Sequence, residues 1–290
     1  MNRQPDKQIS AVWVYWAGAA KGEELKYSMR SVSEHFTGLK NIVLCGDLPD
    51  WYTGDFISSP KFTPQQAREK FGTTRWHKCV DSVIKLKRII DSPLVTEQFL
   101  WLYDDTFFIR DITAAEVSIH RRSNLLCAKP QRKTKNTWRE GLRRTTIALH
   151  EAGRPSWNYS HHGPVVYDKK LLQQTIDKFG AEHNPRAIES LYVNHHFDVE
   201  QTKHLGRWMS YTQIPKPNWR PSPHASMVNV GVFNEYVRAD ICYRFPNPSP
   251  IETVPVIQFD HRELNEIYPA EVLIVIGYLS PDKSTNIACL

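Results

Sequence analysis

The sequence predicts an α/β protein in which a mostly parallel sheet is flanked by helices. Between residues 10 and 110, short segments rich in β-branched and aromatic residues alternate with longer segments whose apolar residues recur at helical spacing. Strands that alternate with helices in this way pair in parallel and are covered by those helices. With 290 residues, of which 41% are hydrophobic, the chain can bury the core that such a sheet needs.

Five elements in the first part of the chain support this fold class. Strands are predicted at 11–16, 41–46 and 98–103, because each segment is short, apolar and followed by polar or turn-forming residues. Helices are predicted at 22–36 and 75–91, where apolar side chains repeat every three or four residues. In sheets of this kind, ligands bind at the carboxyl ends of the strands.

The remaining segments are less regular. From about residue 112 to 160 the pattern weakens and becomes basic and polar, so we predict an insertion or substrate-contacting arm over residues 112–160. It would belong to a single domain that spans residues 1–290. Helices are predicted at 169–180 and 187–197, and the apolar run at 272–279 predicts a last strand.

The positive charge is concentrated in this insertion. The net charge is +6, and basic residues are dense between positions 121 and 144, where Glu140 is the single acid. The basic residues there are Arg121, Arg122, Lys129, Arg132, Lys133, Lys135, Arg139, Arg143 and Arg144. The pattern is typical of a solvated basic loop or of a contact surface for an anionic partner, such as a nucleotide diphosphate, a phosphorylated glycan, an acidic lipid surface or nucleic acid.

Several function classes are disfavoured by motifs that the sequence lacks. It contains no P-loop, no GxGxxG after the first strand, no GxSxG and no HExxH. The five cysteines are scattered without CxxC spacing, which is typical of reduced thiols and argues against a zinc site on thiolates. No apolar run is long enough to cross a bilayer, so we expect a soluble, cytoplasmic protein.

The strongest functional signal is the pair Asp104 and Asp105. The pair follows the apolar strand at 98–103 directly, and an apolar run resumes after it. Two neighbouring carboxylates stay ionised only where a cation or several donors compensate them, and Mg²⁺ or Mn²⁺ prefers such oxygen ligands. A turn capped by an aspartate side chain is the structural alternative. We predict that Asp104 and Asp105 hold a metal ion and a diphosphate.

Histidines and one arginine are further candidates. The pair His161 and His162 precedes a strand-like segment, and His162 is the better candidate for a general base or a metal ligand. The second pair, His195 and His196, falls within a predicted helix, where neighbouring side chains point in different directions. Arg186 lies near the start of that helix, where an arginine can bind phosphate bidentately or remain a plain surface residue.

Four blocks of the chain carry a family resemblance through their order. They are "AVWVYWAG" with "LKYSMRSV", "NIVLCGDLPDW" with "KLKRI" and "FLWLYDDTFF", "HHGPVVYDKKLL" with Arg186 downstream, and "RFPNPSPIE". In this order they resemble the Stealth family of bacterial capsule sugar-phosphate transferases, to which the lysosomal-enzyme GlcNAc phosphotransferase also belongs. The "DD" and "FPNPSP" matches are the most specific of the four blocks.

The resemblance implies a GT-A-like, Rossmann-like α/β core that uses a nucleotide-sugar donor, such as a UDP-sugar, and a divalent metal, Mg²⁺ or Mn²⁺. We predict Asp104, Asp105 and His162 as the ligands of that metal. His162, Asp105 and Arg186 match positions that carry chemistry in the family. Arg186 and Asp104 would also contact the donor.

Further donor-binding residues are implied by the same blocks, namely Trp16, Arg30 and Arg88. The chain departs from the family at two places: Ala17-Gly18 replaces an acidic residue of the first block, and Val83 stands near the position of a glutamate on the helix before "KRI". Because Asp81 is the nearest carboxylate to that position, we predict it as an alternative catalytic base.

Together these features predict a metal-dependent transferase that moves a sugar, or a sugar-1-phosphate, from a nucleotide-sugar donor to a hydroxyl acceptor. The basic arm predicts an anionic acceptor, either a phosphorylated glycan or DNA. Two alternatives stay open. One is a bacteriophage-type DNA glycosyltransferase that acts on a hydroxylated base, and the other is a non-catalytic protein that binds a glycan or a nucleotide-sugar.

Overall fold

The computed structural model describes residues 8–20, 23–117, 120–121, 126, 137–184, 186–204, 208–212, 215–217 and 219–252. The strands are β1 Ile9–Tyr15, β2 Phe36–Thr37, β3 Leu39–Gly46, β4 Asp55–Ser58, β5 Gln98–Leu102, β6 Thr106–Phe108, β7 Ile112–Thr113, β8 His120–Arg121, β9 Val165–Asp168, β10 Lys203–His204, β11 Met209–Thr212 and β12 Met227–Val230. The α-helices are α1 Glu24–His35, α2 Pro64–Phe71, α3 His77–Asp91, α4 Ala114–Val117, α5 Thr137–Glu151, α6 Lys169–Phe179, α7 Ile188–His196 and α8 Glu235–Arg244.

The central sheet confirms the predicted fold class. Its strand order is β4-β3-β1-β5-β9. The pairs β4–β3, β3–β1 and β1–β5 are parallel, whereas β9 runs antiparallel to β5 at the edge. Chain order therefore reverses between β1 and β5, as it does at the switch point of a Rossmann-like sheet. A smaller sheet, β11-β12-β6, extends the structure beyond the end of β5.

Helices cover both faces of the central sheet because its strands alternate their side chains. Val12 and Val43 point into a core shared with residues of α3, α5, α6 and α7. Trp13 and Leu44 point to the other face, where α1 packs, and the Trp13 indole Nε1 donates a hydrogen bond to Ser28 Oγ at 3.0 Å. Each such fully buried apolar side chain stabilises the fold by about 1.5–3 kcal/mol.

The ends of α6 direct the chain back to the carboxyl edge of the parallel strands before α7 begins. The Asp168 side chain caps α6 by accepting a hydrogen bond from Leu171 N, and Gly180, in the left-handed region at φ 55°, ends it. After this turn α7 runs back along the same face as α6, and the segment that precedes α7 lies at the carboxyl edge of the parallel strands. The predicted helices at 169–180 and 187–197 are confirmed.

The basic insertion differs from the sequence prediction in one respect. Part of the 112–160 segment is not an irregular surface excursion, because α5 folds there and buries Leu142, Ala148 and Leu149 against α7 and the sheet. Interspersed arginines mask this apolar face in the sequence. The predicted strand at 272–279 lies outside the described residues.

The helices of the structure bear on the prediction that no segment crosses a membrane. Within the described ranges, no helix is both long enough and apolar enough to cross a membrane.

Candidate functional site

The candidate site lies at the carboxyl edge of the central sheet, at the switch point between β1 and β5. The two strands pair in parallel with Trp13 opposite Leu102, so the residues that follow them emerge side by side. Trp16 follows β1, and Asp104 and Asp105 follow β5. In open α/β sheets, the crevice at this point is where ligands bind.

The carboxylates of Asp104 and Asp105 are largely buried and close to other acids. Burial raises the pKa of Asp104 to about 6, and the charges of Asp105 and Glu24 add to that rise. Burial also raises the pKa of Asp105 to about 7, against a hydrogen bond from Asn229 that lowers it. Among the described residues, neither carboxylate forms an ion pair with a lysine or an arginine. The charge of this pair is therefore left for a proton or an added cation to balance.

His162 faces the same carboxylates from a strained turn. Its φ of 61° is in the left-handed region, which is uncommon for a residue other than glycine and clusters at functional sites. Its Nδ1 atom lies 3.4 Å from Asp105 Oδ2, and its side chain is half exposed. Gly163 allows this turn, because a Cβ atom there would come within 2.6 Å of the His161 ring.

Asn229 is a site residue that the sequence prediction missed. It lies on β12, is fully buried, and donates from Nδ2 to Asp105 Oδ1 at 2.8 Å and to Thr106 Oγ1 at 3.1 Å. Its Oδ1 atom has no hydrogen-bond partner among the described residues. The sequence feature that could have identified Asn229 is its position as a lone amide inside the apolar run Met227–Val230. A buried polar side chain in a strand needs a hydrogen-bond partner.

A hydrogen-bonded network of partly buried residues packs against the His162 ring. The rings of Tyr103 and His162 stack with centroids 4.0 Å apart and an interplanar angle of 20°. Tyr103 donates its hydroxyl proton to Glu189 Oε1 at 2.6 Å, and Ser160 Oγ donates to Glu189 Oε2 at 3.3 Å. Burial and the neighbouring Glu189 charge raise the pKa of Tyr103 well above its ordinary value, so the phenol remains a neutral donor.

Trp16 lies where the sequence predicts a donor-binding residue. Its side chain is 37% exposed at the end of β1, and the Lys61 ammonium lies over its ring. Burial lowers the pKa of Lys61, and the charge of Asp81 acts in the opposite direction. An exposed indole beside a cation is a surface on which a nucleotide base can stack.

The predicted base Asp81 is held in an ion pair. Its Oδ1 atom accepts a hydrogen bond from Phe62 N at 2.7 Å, and its Oδ2 atom lies 2.5 Å from Lys85 Nζ. None of its hydrogen bonds or ion pairs in the described part of the chain reaches Asp104, Asp105 or His162. The structure therefore brings His162, rather than Asp81, to the carboxylate pair.

The predicted arginines make contacts within the fold. Arg30 forms a bidentate pair with Glu252 at 2.9 and 2.7 Å and donates to Phe245 O, which anchors the proline-rich turn to α1. Arg88 donates to Ser58 O at 3.0 Å. Arg186 donates to the carbonyl of Phe179 at 2.7 Å, and no contact joins it to the carboxylate pair in the described residues.

The carboxylate pair fits a hard divalent cation that would take its remaining ligands from water and from a bound substrate. Within the described part of the chain, no group of three or more His, Cys, Asp or Glu side chains is placed to hold a metal ion, so the predicted ligands Asp104, Asp105 and His162 do not form a metal site by themselves. Mg²⁺ does not require such a group, since it commonly takes one or two carboxylates together with water and substrate phosphates. Asp104 and Asp105 supply oxygen ligands of the kind that this ion prefers.

No family profile and no curated protein sequence matches the chain. Among solved structures, it is similar to the glycosyltransferase GlyE of Streptococcus pneumoniae TIGR4, with 15% identity and a TM-score of 0.34 over 70% of this chain and 46% of that chain. It is also similar to an active-site mutant of LgtC, with 8% identity and a TM-score of 0.41 over 95% of this chain and 98% of that chain. Mouse xyloside xylosyltransferase 1 is similar as well, with 10% identity and a TM-score of 0.32 over 77% and 97%. This chain thus matches less than half of GlyE. Because these TM-scores are low, we base the proposed function on the residues of this chain.

Proposed function

We propose that the protein is a metal-dependent glycosyltransferase that moves a sugar from a nucleotide-sugar donor to a hydroxyl group of an acceptor. The observation that carries this proposal is the buried pair Asp104 and Asp105 at the switch point, with His162 Nδ1 3.4 Å from Asp105. A carboxylate pair that no lysine or arginine of the described residues neutralises would provide the metal and diphosphate site, and the half-exposed imidazole beside it would provide a proton acceptor.

Asp104 and Asp105 would hold Mg²⁺ or Mn²⁺ together with the donor diphosphate. When bound, the ion would neutralise the charge that develops on the leaving diphosphate. Asn229 fixes the orientation of the Asp105 carboxylate through its Nδ2 hydrogen bond. Trp16 would stack on the nucleotide base at the end of β1. Arg30 and Arg88, whose guanidinium groups are held within the fold, receive no donor contact in this proposal.

His162 would accept the proton of the attacking acceptor hydroxyl on its imidazole. The acceptor oxygen forms a bond to the anomeric carbon, and the bond between that carbon and the diphosphate oxygen breaks, with its electron pair leaving on the nucleoside diphosphate. Tyr103 keeps the imidazole parallel to its own ring, and the half-exposed face of His162 remains open to the acceptor.

Hydrolysis of nucleotide-sugars in the presence of Mn²⁺ tests the proposal most directly, because it needs no acceptor. We expect the wild-type protein to release nucleoside diphosphate slowly, and Asp105→Ala to reduce the rate by about 100-fold or more. Asp177→Ala, a carboxylate loss on the exposed face of α6, is the matched control. If none of a panel of nucleotide-sugars bound to the wild-type protein, the proposal would be wrong.

The mass of the product identifies the bond that breaks. Attack at the anomeric carbon adds a sugar to the acceptor, whereas attack at the β-phosphorus adds a sugar together with a phosphate. We expect the first result. The second would convert the proposal into sugar-1-phosphate transfer at the same residues.

A further inference from the structure

Two arginines contact a single buried indole near the carboxyl edge of the sheet, and we refer to them, together with Arg186, as the arginine cluster. The guanidinium carbons of Arg144 and Arg75 lie 4.6 Å and 5.8 Å from the centroid of the Trp76 ring. Trp76 is buried at the start of α3, so its ring is a fixed support. Guanidinium groups that stack on an indole are held in place and still present N–H donors at their edges.

Arg186 joins this cluster from the segment before α7. Burial lowers the pKa of Arg186, the charge of Glu151 acts in the opposite direction, and the positive charge of Arg144 lowers it further. The next residue along α5, Thr145, accepts a hydrogen bond from Ala187 N at 2.8 Å and ties the two segments together. The Nε atom of Arg186 is buried and has no hydrogen-bond partner among the described residues.

Two carboxylates of the described residues act on the arginines of this cluster. Glu140 contacts both Arg143 and Arg144, at 2.7 and 3.3 Å, and these contacts lower its pKa to about 2. Glu151 is the acid whose charge acts on Arg186. Lys78 and Arg75, both exposed, add positive charge at the start of α3. Several cations held close together favour the binding of an anion.

The position of the cluster connects it to the candidate site. α3 runs back toward the start of β5, so its first turn lies at the carboxyl edge of the sheet, and the first turn of α7 lies there too. Glu189, one turn after Arg186, accepts the hydrogen bond from Tyr103, whose ring stacks against His162. A molecule anchored at the arginines can therefore extend toward the His162 imidazole.

We infer that Arg75, Arg144 and Arg186 form a subsite that binds a phosphate group of the acceptor. The acceptor role rests on the proposed function, whereas the phosphate site itself does not. Arginines pair with phosphate bidentately. Arg75 and Arg144 stack on one indole, and Arg186 lies in a segment that is tied to α5 next to Arg144. Binding of a nucleic acid instead needs cations spread along a backbone. We therefore assign a phosphorylated sugar, rather than DNA, to this subsite.

A titration followed by ³¹P NMR tests the subsite without any donor. Glucose 6-phosphate and inorganic phosphate are the probes, and we expect both to bind the wild-type protein, with the phosphorylated sugar preferred. Arg75→Gln and Arg144→Gln should each weaken binding about tenfold, because each removes a charge-assisted contact. Lys170→Gln, a loss of one exposed charge at the opposite edge of the sheet, should leave binding unchanged. Arg75 is exposed, so its variant is expected to fold normally.

Three results would overturn the inference. The first is equal probe affinity in the wild-type, Arg75→Gln and Arg144→Gln proteins, and the second is an equal loss in Lys170→Gln. The third is tighter and strongly salt-dependent binding of a duplex oligonucleotide that the same arginine variants abolish, which would assign the surface to DNA. The probes bind without a donor, so this test is independent of the hydrolysis assay. If the protein hydrolyses nucleotide-sugars but fails this test, the phosphate subsite is wrong and the proposed function still stands.

Discussion

Two groups of buried carboxylates near the carboxyl edge of the sheet are balanced in different ways. Asp81 has its own cation, because Lys85 Nζ lies 2.5 Å away and is itself buried. Asp104 and Asp105 instead neighbour each other. In the described structure no lysine or arginine pairs with them, and the His162 imidazole lies 3.4 Å from Asp105 Oδ2. A carboxylate that the fold neutralises serves packing, whereas a pair that it leaves charged is available to bind a ligand.

The largest expected difference between the two groups is in activity. We expect Asp105→Asn to lower the rate of sugar transfer by about 1,000-fold, because it removes an oxygen ligand and a negative charge from the proposed metal site. Asp81→Asn should leave the rate of the folded protein within about threefold of wild type. Rates normalised to the folded fraction would measure both, and an equal loss in the two variants would make Asp81 part of the chemistry.

Stability should show the opposite order. Asp81→Asn leaves the buried Lys85 ammonium without its partner, and we expect it to destabilise the fold by about 3 kcal/mol in urea unfolding. Asp105→Asn should be neutral or stabilising, since it removes an uncompensated buried charge. The double variant Asp81→Asn with Lys85→Met is the control, and it should recover much of the lost stability.

The pH dependence of stability follows from the raised pKa values of Asp104 and Asp105, about 6 and 7. A carboxyl that binds its proton more tightly when folded stabilises the fold at low pH and loses this contribution as pH rises through the folded pKa. Without metal, we expect Tm to fall by on the order of 5 °C between pH 5 and pH 8 relative to the Asp104→Asn/Asp105→Asn variant.

Addition of Mn²⁺ at pH 8 tests whether repulsion between the Asp104 and Asp105 carboxylates causes the expected decrease in Tm. The ion should restore Tm in the wild-type protein and have little effect on the double variant, because binding to the folded state stabilises it. A pH profile that is the same in both proteins would show that the carboxylate pair is neutralised by some other group.

The smallest expected effect concerns the support beneath His162. Tyr103→Phe keeps the stacked ring and removes the hydrogen bond to Glu189, so we expect kcat to fall about tenfold with little change in KM. Tyr103→Leu, which also removes the stacking, should cost more. The control is the free energy of unfolding of each variant. If activity falls only in proportion to the unfolded fraction, Tyr103 does not position His162.

Much of the fold could be predicted because local patterns carry it. The strands at 11–16, 41–46 and 98–103 are short apolar runs, and α1 and α3 have one apolar face, so neither prediction needs distant contacts. The helix α5 was not predicted, because arginines interrupt its apolar residues. Strands β6 and β12 escaped prediction for another reason: they are short and pair across more than a hundred residues of sequence.

For the candidate site, the sequence by itself determined the carboxylate pair at the end of β5 and the histidine pair before β9, because the residues of each pair are adjacent in the chain. Only the tertiary structure decided which other groups meet them. It placed Asn229 against Asp105 and Tyr103 against His162, and it paired Asp81 with Lys85. These contacts arise where distant segments converge at one sheet edge, and no local pattern in the sequence records that convergence.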